Sequence, residues 1–150
     1  PNLKPFFLLA VQCRESAFLD SIEDSATGKK TRMTSPVGAR GAWQLMPSTA
    51  RLLCDALNIS FSERIFTDIG ISTRLAAKYF DILWATYESD TLSIADYNGG
   101  PWQAFYYQYD SGKLSKETEK FVSDVLTSMD KFYKEFSVYR IEKVLPLGGK

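Results

Sequence analysis

The strongest constraint in the chain is the run Phe6-Phe7-Leu8-Leu9-Ala10-Val11, which leads through Gln12-Cys13-Arg14 to Glu15-Ser16-Ala17-Phe18. An apolar run this short cannot cross a bilayer, so a protein core has to cover it. Pro5, just ahead, suits a first helical turn. The stretch therefore reads as a buried helix whose end delivers one carboxyl group. A carboxyl withdrawn from water has its pKa raised, because burial disfavours the charged form. Raised toward neutrality, it can act as a general acid. Taken alone, the same pattern also describes a packed helix with a merely polar end.

The remaining residues narrow the chemistry. A chain of 150 residues can close one domain around a core. Lys+Arg and Asp+Glu balance at 18 each, so no global field draws the protein to nucleic acid or an anionic membrane. There is no histidine, which removes Ser-His-Asp and Cys-His nucleophiles and most zinc sites. Acid–base work then falls to Glu, Asp, Tyr, Cys or Lys. Cys13 and Cys54 are too far apart in sequence for a metal-type cluster. A disulfide and two small core residues are both open, and the apolar helical surroundings favour the core reading. No cofactor and no metal are expected. No signal peptide or membrane span is read, and a start at Pro1 fits a mature form or an excised domain. Eight Tyr and 3 Trp supply rings that line clefts and stack on sugar faces.

Helical periodicity runs through most of the chain. Pro47 suits a first turn, and Ala50, Leu53, Cys54 and Leu57 share one face up to a stop at Asn58. Ile71, Leu75, Ala76, Tyr79, Phe80 and Leu83 mark a helix from Asp68 to about Tyr87. Ser89-Asp90 caps a short helix ending near Tyr97, and Asn98-Gly99-Gly100-Pro101 breaks it. An aromatic-rich helix follows from Trp102 to Tyr109. The last helix opens at Ser115-Lys116-Glu117-Thr118 and carries its apolar stripe from Phe121 to Phe136. Leu19 to Thr34 is polar and reads as one long early loop, of a length that is often functional. The expectation is an all-α, compact helical domain over residues 1–137 with a tail over 138–150.

Four separated pieces stand out in register: Glu15-Ser16-Ala17-Phe18; Ser35-Pro36-Val37-Gly38-Ala39-Arg40-Gly41-Ala42-Trp43-Gln44-Leu45-Met46-Pro47; Asp96-Tyr97-Asn98-Gly99-Gly100-Pro101; and Glu117-Thr118-Glu119-Lys120-Phe121-Val122. Together they resemble the SLT-type lytic transglycosylases, a lysozyme-like family that cuts bacterial peptidoglycan. The resemblance covers the chain from about Leu3 to about Phe132. It implies a lysozyme-like (goose-type/SLT) fold with Glu15 as the catalytic acid/base. Ser16 and Ser35 would lie near that carboxyl and the substrate, Gln44 and Met46 would line the sugar groove, and Tyr97 would contact Glu15 or the sugar. Asn98 would hold the turn, and Glu117 would belong to the cleft or stand behind it. The implied reaction cleaves the bond between N-acetylmuramic acid and N-acetylglucosamine without water, giving 1,6-anhydro products. Phe18, Trp43 and Met46 would keep the acid dry.

The sequence departs from the family pattern in four places. Trp43 replaces a usual Met, Asp96 a usual Ala, and Phe121 a usual Tyr, while the Phe18–Ser35 segment is longer than is common. Asp96 is a candidate second carboxylate or a helix residue pointing away. Each site residue also has a plainer role. Ser16 can cap its helix, Gln44 can satisfy buried backbone groups, and Tyr97 can be a core aromatic. Asn98-Gly99 can be a simple turn, and Glu117 can serve the positive end of the last helix. Two other functions fit the same pattern: a goose-type-like hydrolytic muramidase, and a non-catalytic peptidoglycan-binding or assembly module. The expected partners are peptidoglycan glycan strands and an envelope or virion protein, with no nucleic acid. The expected address is the cell envelope or periplasm, or a phage virion.

Overall fold

The computed structural model describes residues 6–17, 21–23, 30–32, 34–110 and 112–144. The order of elements is α1 (Phe7–Ser16), β1 (Ser21–Glu23), β2 (Lys30–Arg32), α2 (Pro47–Ala56), a 3-10 turn (Glu63–Phe66), α3 (Ile69–Tyr87), α4 (Asp90–Gly99), α5 (Pro101–Tyr109) and α6 (Lys116–Val144). The helical expectation holds, with one addition inside the early loop. There β1 and β2 pair antiparallel, Ser21 opposite Arg32 and Glu23 opposite Lys30. Strands of three residues are too short for alternation to announce them. Pro5, Phe18 and the final residues 145–150 lie outside the described residues, as does most of the rest of the loop.

The apolar run finds its cover. Phe7, Ala10 and Val11 of α1 are buried with Leu75 and Phe80 of α3, Ile94 and Ala95 of α4, and Phe121 and Val125 of α6. Phe7 meets Phe80 edge to face, with ring centroids 4.8 Å apart. Each large apolar side chain so placed contributes about 1.5–3 kcal/mol. On the outside of the same packing, Arg14 Nε holds Asp124 Oδ2 at 2.9 Å and ties α1 to α6. Cys54 is buried and Cys13 half-buried, and both are free thiols.

Helix ends follow from local chemistry. Asp68 accepts a hydrogen bond from the Ile71 N–H at the start of α3, and Ser89 accepts one from Leu92 at the start of α4. Asn58, in the left-handed region at φ 53, ends the turn that follows α2. The break expected over Asn98-Gly99-Gly100-Pro101 is there, and the helix ahead of it runs two residues past Tyr97. Asn98 and Gly99 are still helical, and the turn is made by Gly100 alone, at φ 82 and ψ 173, a region open essentially only to glycine. Gly99 has a different task. A Cβ there would lie 2.4 Å from Gln103 Cγ and 2.7 Å from Thr118 Oγ1, so its bareness lets α4 close on α6. At the other end of the chain, α6 runs unbroken past residue 137, so the segment expected as a tail begins as helix.

Candidate active site

Glu15 occupies the last turn of α1, where the helix closes on Ala17 in the left-handed conformation. The helix that carries it is covered by the core on one side, which leaves the carboxyl partly buried. Burial pushes its pKa up to about 7, against a smaller lowering by the neighbouring Arg14. Its position at the negative end of a helix dipole works in the same direction as burial. Among the described residues, no side chain donates a hydrogen bond to this carboxyl. A carboxyl that is dry and unsupported holds its proton near neutral pH and can release it to a strong acceptor.

Tyr97, on α4, is the neighbour this carboxyl affects. Burial raises the phenol well above its usual range, and the negative charge of Glu15 adds to the rise. The Tyr97 hydroxyl donates to the Trp43 carbonyl oxygen at 2.5 Å. Its ring stacks on Phe80 with centroids 4.4 Å apart and planes 19° from parallel. The side chain is therefore fixed at both ends. Trp43 itself is 1% exposed, with its indole N–H donating to Thr73, so its ring belongs to the core and only its carbonyl serves Tyr97.

A groove of about 240 Å³ gathers Gln44, Met46, Tyr97 and Asn98, four of the expected site residues, with Tyr79 and Asp96. Gln44 lies in the left-handed region at φ 44, and its side-chain amide donates to the Gly41 carbonyl at 2.8 Å. Met46 is 40% exposed at the entrance to α2. The loop behind them depends on Gly41. At φ 73, a Cβ there would come within 2.4 Å of the Phe66 carbonyl oxygen. Arg40 braces the same loop through Glu63, at 2.8 Å.

The other expected residues, Glu15 among them, do not line this groove. The Ser16 hydroxyl is buried and donates to the Gln12 carbonyl of its own helix at 3.2 Å. Ser35 accepts the Ala39 N–H at 3.0 Å, while its own N–H donates to the Ala39 carbonyl. Both hydroxyls are engaged in local backbone. Glu117 is exposed in the first turn of α6, where its charge suits the helix dipole.

The chain matches the Transglycosylase SLT domain over residues 1–119. It belongs to that family. The matched span holds every candidate residue named above. Among solved structures, an inactive mutant of the lytic transglycosylase Slt from Pseudomonas aeruginosa superposes with a TM-score of 0.75 at 24% identity. The 70-kDa soluble lytic transglycosylase of Escherichia coli gives 0.70 at 23%. The complex of the 70-kDa soluble lytic transglycosylase with bulgecin A gives 0.71 at 22%. The chain is covered to 90%, 91% and 91% in these three, and it spans 22% of the length of each. The shared fold is the lysozyme-like helical domain. A comparison with curated proteins finds no match.

The SLT domain holds one feature that sequence reasoning placed only as two alternatives. Asp96 is 5% exposed and accepts the Tyr87 hydroxyl at 2.6 Å on Oδ2. The Tyr79 phenol also favours the charged form of this carboxyl. Burial raises the Asp96 pKa and the two phenols pull it back. Burial and the nearby carboxylate push Tyr79 up to about 12. Asp96 lines the groove instead of pointing away from it. Its partners come from α3, on a separate turn of the fold, so no spacing along the chain could have named them.

Proposed function

We propose that this SLT domain is a peptidoglycan lytic transglycosylase with Glu15 as its single catalytic acid/base. The observation that supports it best is the dry Glu15 carboxyl, poised near neutral pH beside Tyr97. In the forward step Glu15 gives its proton to the oxygen linking N-acetylmuramic acid to N-acetylglucosamine, and that bond breaks. The resulting carboxylate then takes the proton of the muramic C6 hydroxyl as its oxygen bonds to C1. Glu15 ends protonated again, no water is consumed, and the product carries a 1,6-anhydro ring. An attack from within the same sugar gains from proximity, so no protein nucleophile is required.

A single-carboxyl route agrees with the electrostatics. Burial and Arg14 account for the Glu15 shift, and no carboxylate is among its causes. The commonest glycosidase pattern sets two carboxyls across the scissile bond. Here Asp96, the carboxyl that lines the groove, is engaged by phenols. The groove residues Gln44, Met46, Tyr97 and Asn98 would hold the glycan, with Tyr97 kept in place by the Trp43 carbonyl. Ser16, Ser35 and Glu117 would support the site from behind. No helix among the described residues is long and apolar enough to cross a membrane. The substrate would place the domain in the cell envelope or in a virion that attacks it.

Mass spectrometry of muropeptides released from purified peptidoglycan tests this directly. The proposal expects products one water lighter than hydrolytic ones, and none from Glu15→Gln. Reducing-end products would replace it with a hydrolytic muramidase.

A further inference from the structure

Outside the groove, α5 shows an aromatic face that neither the core nor the proposed chemistry uses. Trp102, Phe105, Tyr106 and Tyr109 are spaced so that they share one side of the helix. Their rings touch in series: Trp102 to Phe105 at 5.9 Å, Trp102 to Tyr106 at 6.1 Å, and Phe105 to Tyr109 at 5.4 Å. Trp102 and Tyr109 are 67% and 68% exposed. Scattered exposed aromatics are ordinary, but a contiguous face marks an interaction site. Beside it lies a cavity of about 430 Å³, lined by Trp102, Phe105 and Tyr109, by Tyr87, and by the polar Thr86 and Gln108.

Two observations join this cavity to the groove. Pro101 lines both. Tyr87 lines the aromatic cavity, while its hydroxyl donates to Asp96 Oδ2 and Asp96 lines the groove. The two depressions are neighbours across one hydrogen bond. The helix itself limits what can lie there. From Pro101 to Tyr109 it carries no charged side chain, so it offers nothing to an anionic lipid or a charged peptide. It offers flat rings, an amide and a hydroxyl.

We infer that the aromatic face of α5, together with Tyr87, continues the groove as a distal subsite on which further sugars of the same glycan strand stack. The inference rests on the glycan-cleaving reading above. A pyranose ring has a C–H face that packs on an aromatic ring. Its hydroxyl rim can exchange hydrogen bonds with Gln108 and Thr86. The side chains from Trp102 to Tyr109 span about 10 Å along the helix axis, which suits an extended ligand.

The test compares wild type with the double variant Trp102→Ala, Tyr109→Ala on long glycan strands and on short muropeptide fragments. Both side chains are exposed, and thermal melts report whether the variant folds as wild type does. The expected result is a fall of about tenfold in the long-to-short ratio of kcat/KM, carried by KM. Trp102→Phe, which keeps a ring, should retain most of the ratio. An unchanged ratio in the double variant overturns the inference and leaves the enzyme reading standing. An unchanged ratio with a new sedimentation behaviour overturns it too, and assigns the face to protein contact. If wild type cleaves neither substrate, the glycan reading itself falls and this inference falls with it.

Discussion

The domain withdraws two carboxyls from water, Asp96 in the groove and Glu15 near Tyr97, and treats them differently. Glu15 is partly buried and has no donor among the described residues to stabilise its charge. Asp96 is buried more fully, but the Tyr87 hydroxyl donates to it and Tyr79 also favours its charged form. Burial raises both, and only in Asp96 is the rise opposed by hydrogen bonds to the charged form. Under the proposed function, the contrast separates a carboxyl that exchanges a proton from one that holds a position, and the difference between them is hydrogen-bond partners more than burial.

Replacing the two residues in turn tests that contrast. Glu15→Gln removes the exchangeable proton and keeps the shape, so turnover should fall by about 10²–10⁴-fold, measured as muropeptide release per unit time. A drop under tenfold would remove Glu15 from the chemistry. Because the acid must start protonated, wild-type kcat/KM should decline as pH rises through about 7.

The same group leaves a trace in stability. Its folded pKa is about 7 against an ordinary 4.5. Between these values the folded protein keeps a proton that the unfolded chain has released, so stability falls as pH rises across that window and stays lower above it. The shift corresponds to about 3 kcal/mol. Urea titrations should show Glu15→Gln gaining up to that amount over wild type above the window and nothing below it. Equal pH slopes for the two proteins would mean that Glu15 is not dry.

Asp96→Ala should behave in the opposite sense. It leaves the Tyr87 hydroxyl without its acceptor and should lower stability by about 1–3 kcal/mol. Its turnover should drop far less than that of Glu15→Gln. If the turnover losses match, Asp96 takes part in catalysis and the contrast breaks down. The smallest effect is expected for Tyr97→Phe, which gives up one hydrogen bond to the Trp43 carbonyl and should cost about 1 kcal/mol in thermal or urea unfolding.

Part of this site is legible in the amino-acid sequence alone. The Phe6–Val11 run has to be buried, so a carboxyl four residues beyond it is a candidate acid on that ground. Repeats such as Leu75-Ala76 followed by Tyr79-Phe80 carry the helices. What the chain does not show is direction and pairing. Ser16 and Ser35 sit where the family motif puts them, yet their hydroxyls face their own backbone. Asn98 reads as part of a turn because two glycines follow it, and only φ at Gly100 shows where the helix ends. Asp96 meets its tyrosines only because α3 and α4 pack side by side, a contact between separate helices that no local pattern encodes.

The junction at Gly100 has a consequence for how this region can vary. A single residue separates α4, which carries Asp96, Tyr97 and Asn98, from α5, which begins at Pro101. Each residue of helix turns the chain by about 100°. One insertion at this corner would swing the aromatic face a quarter turn or more away from the groove while leaving Glu15 untouched. The link works as a fixed angle bracket, and descendants of this chain could change the residues on either arm far more freely than the length of the corner.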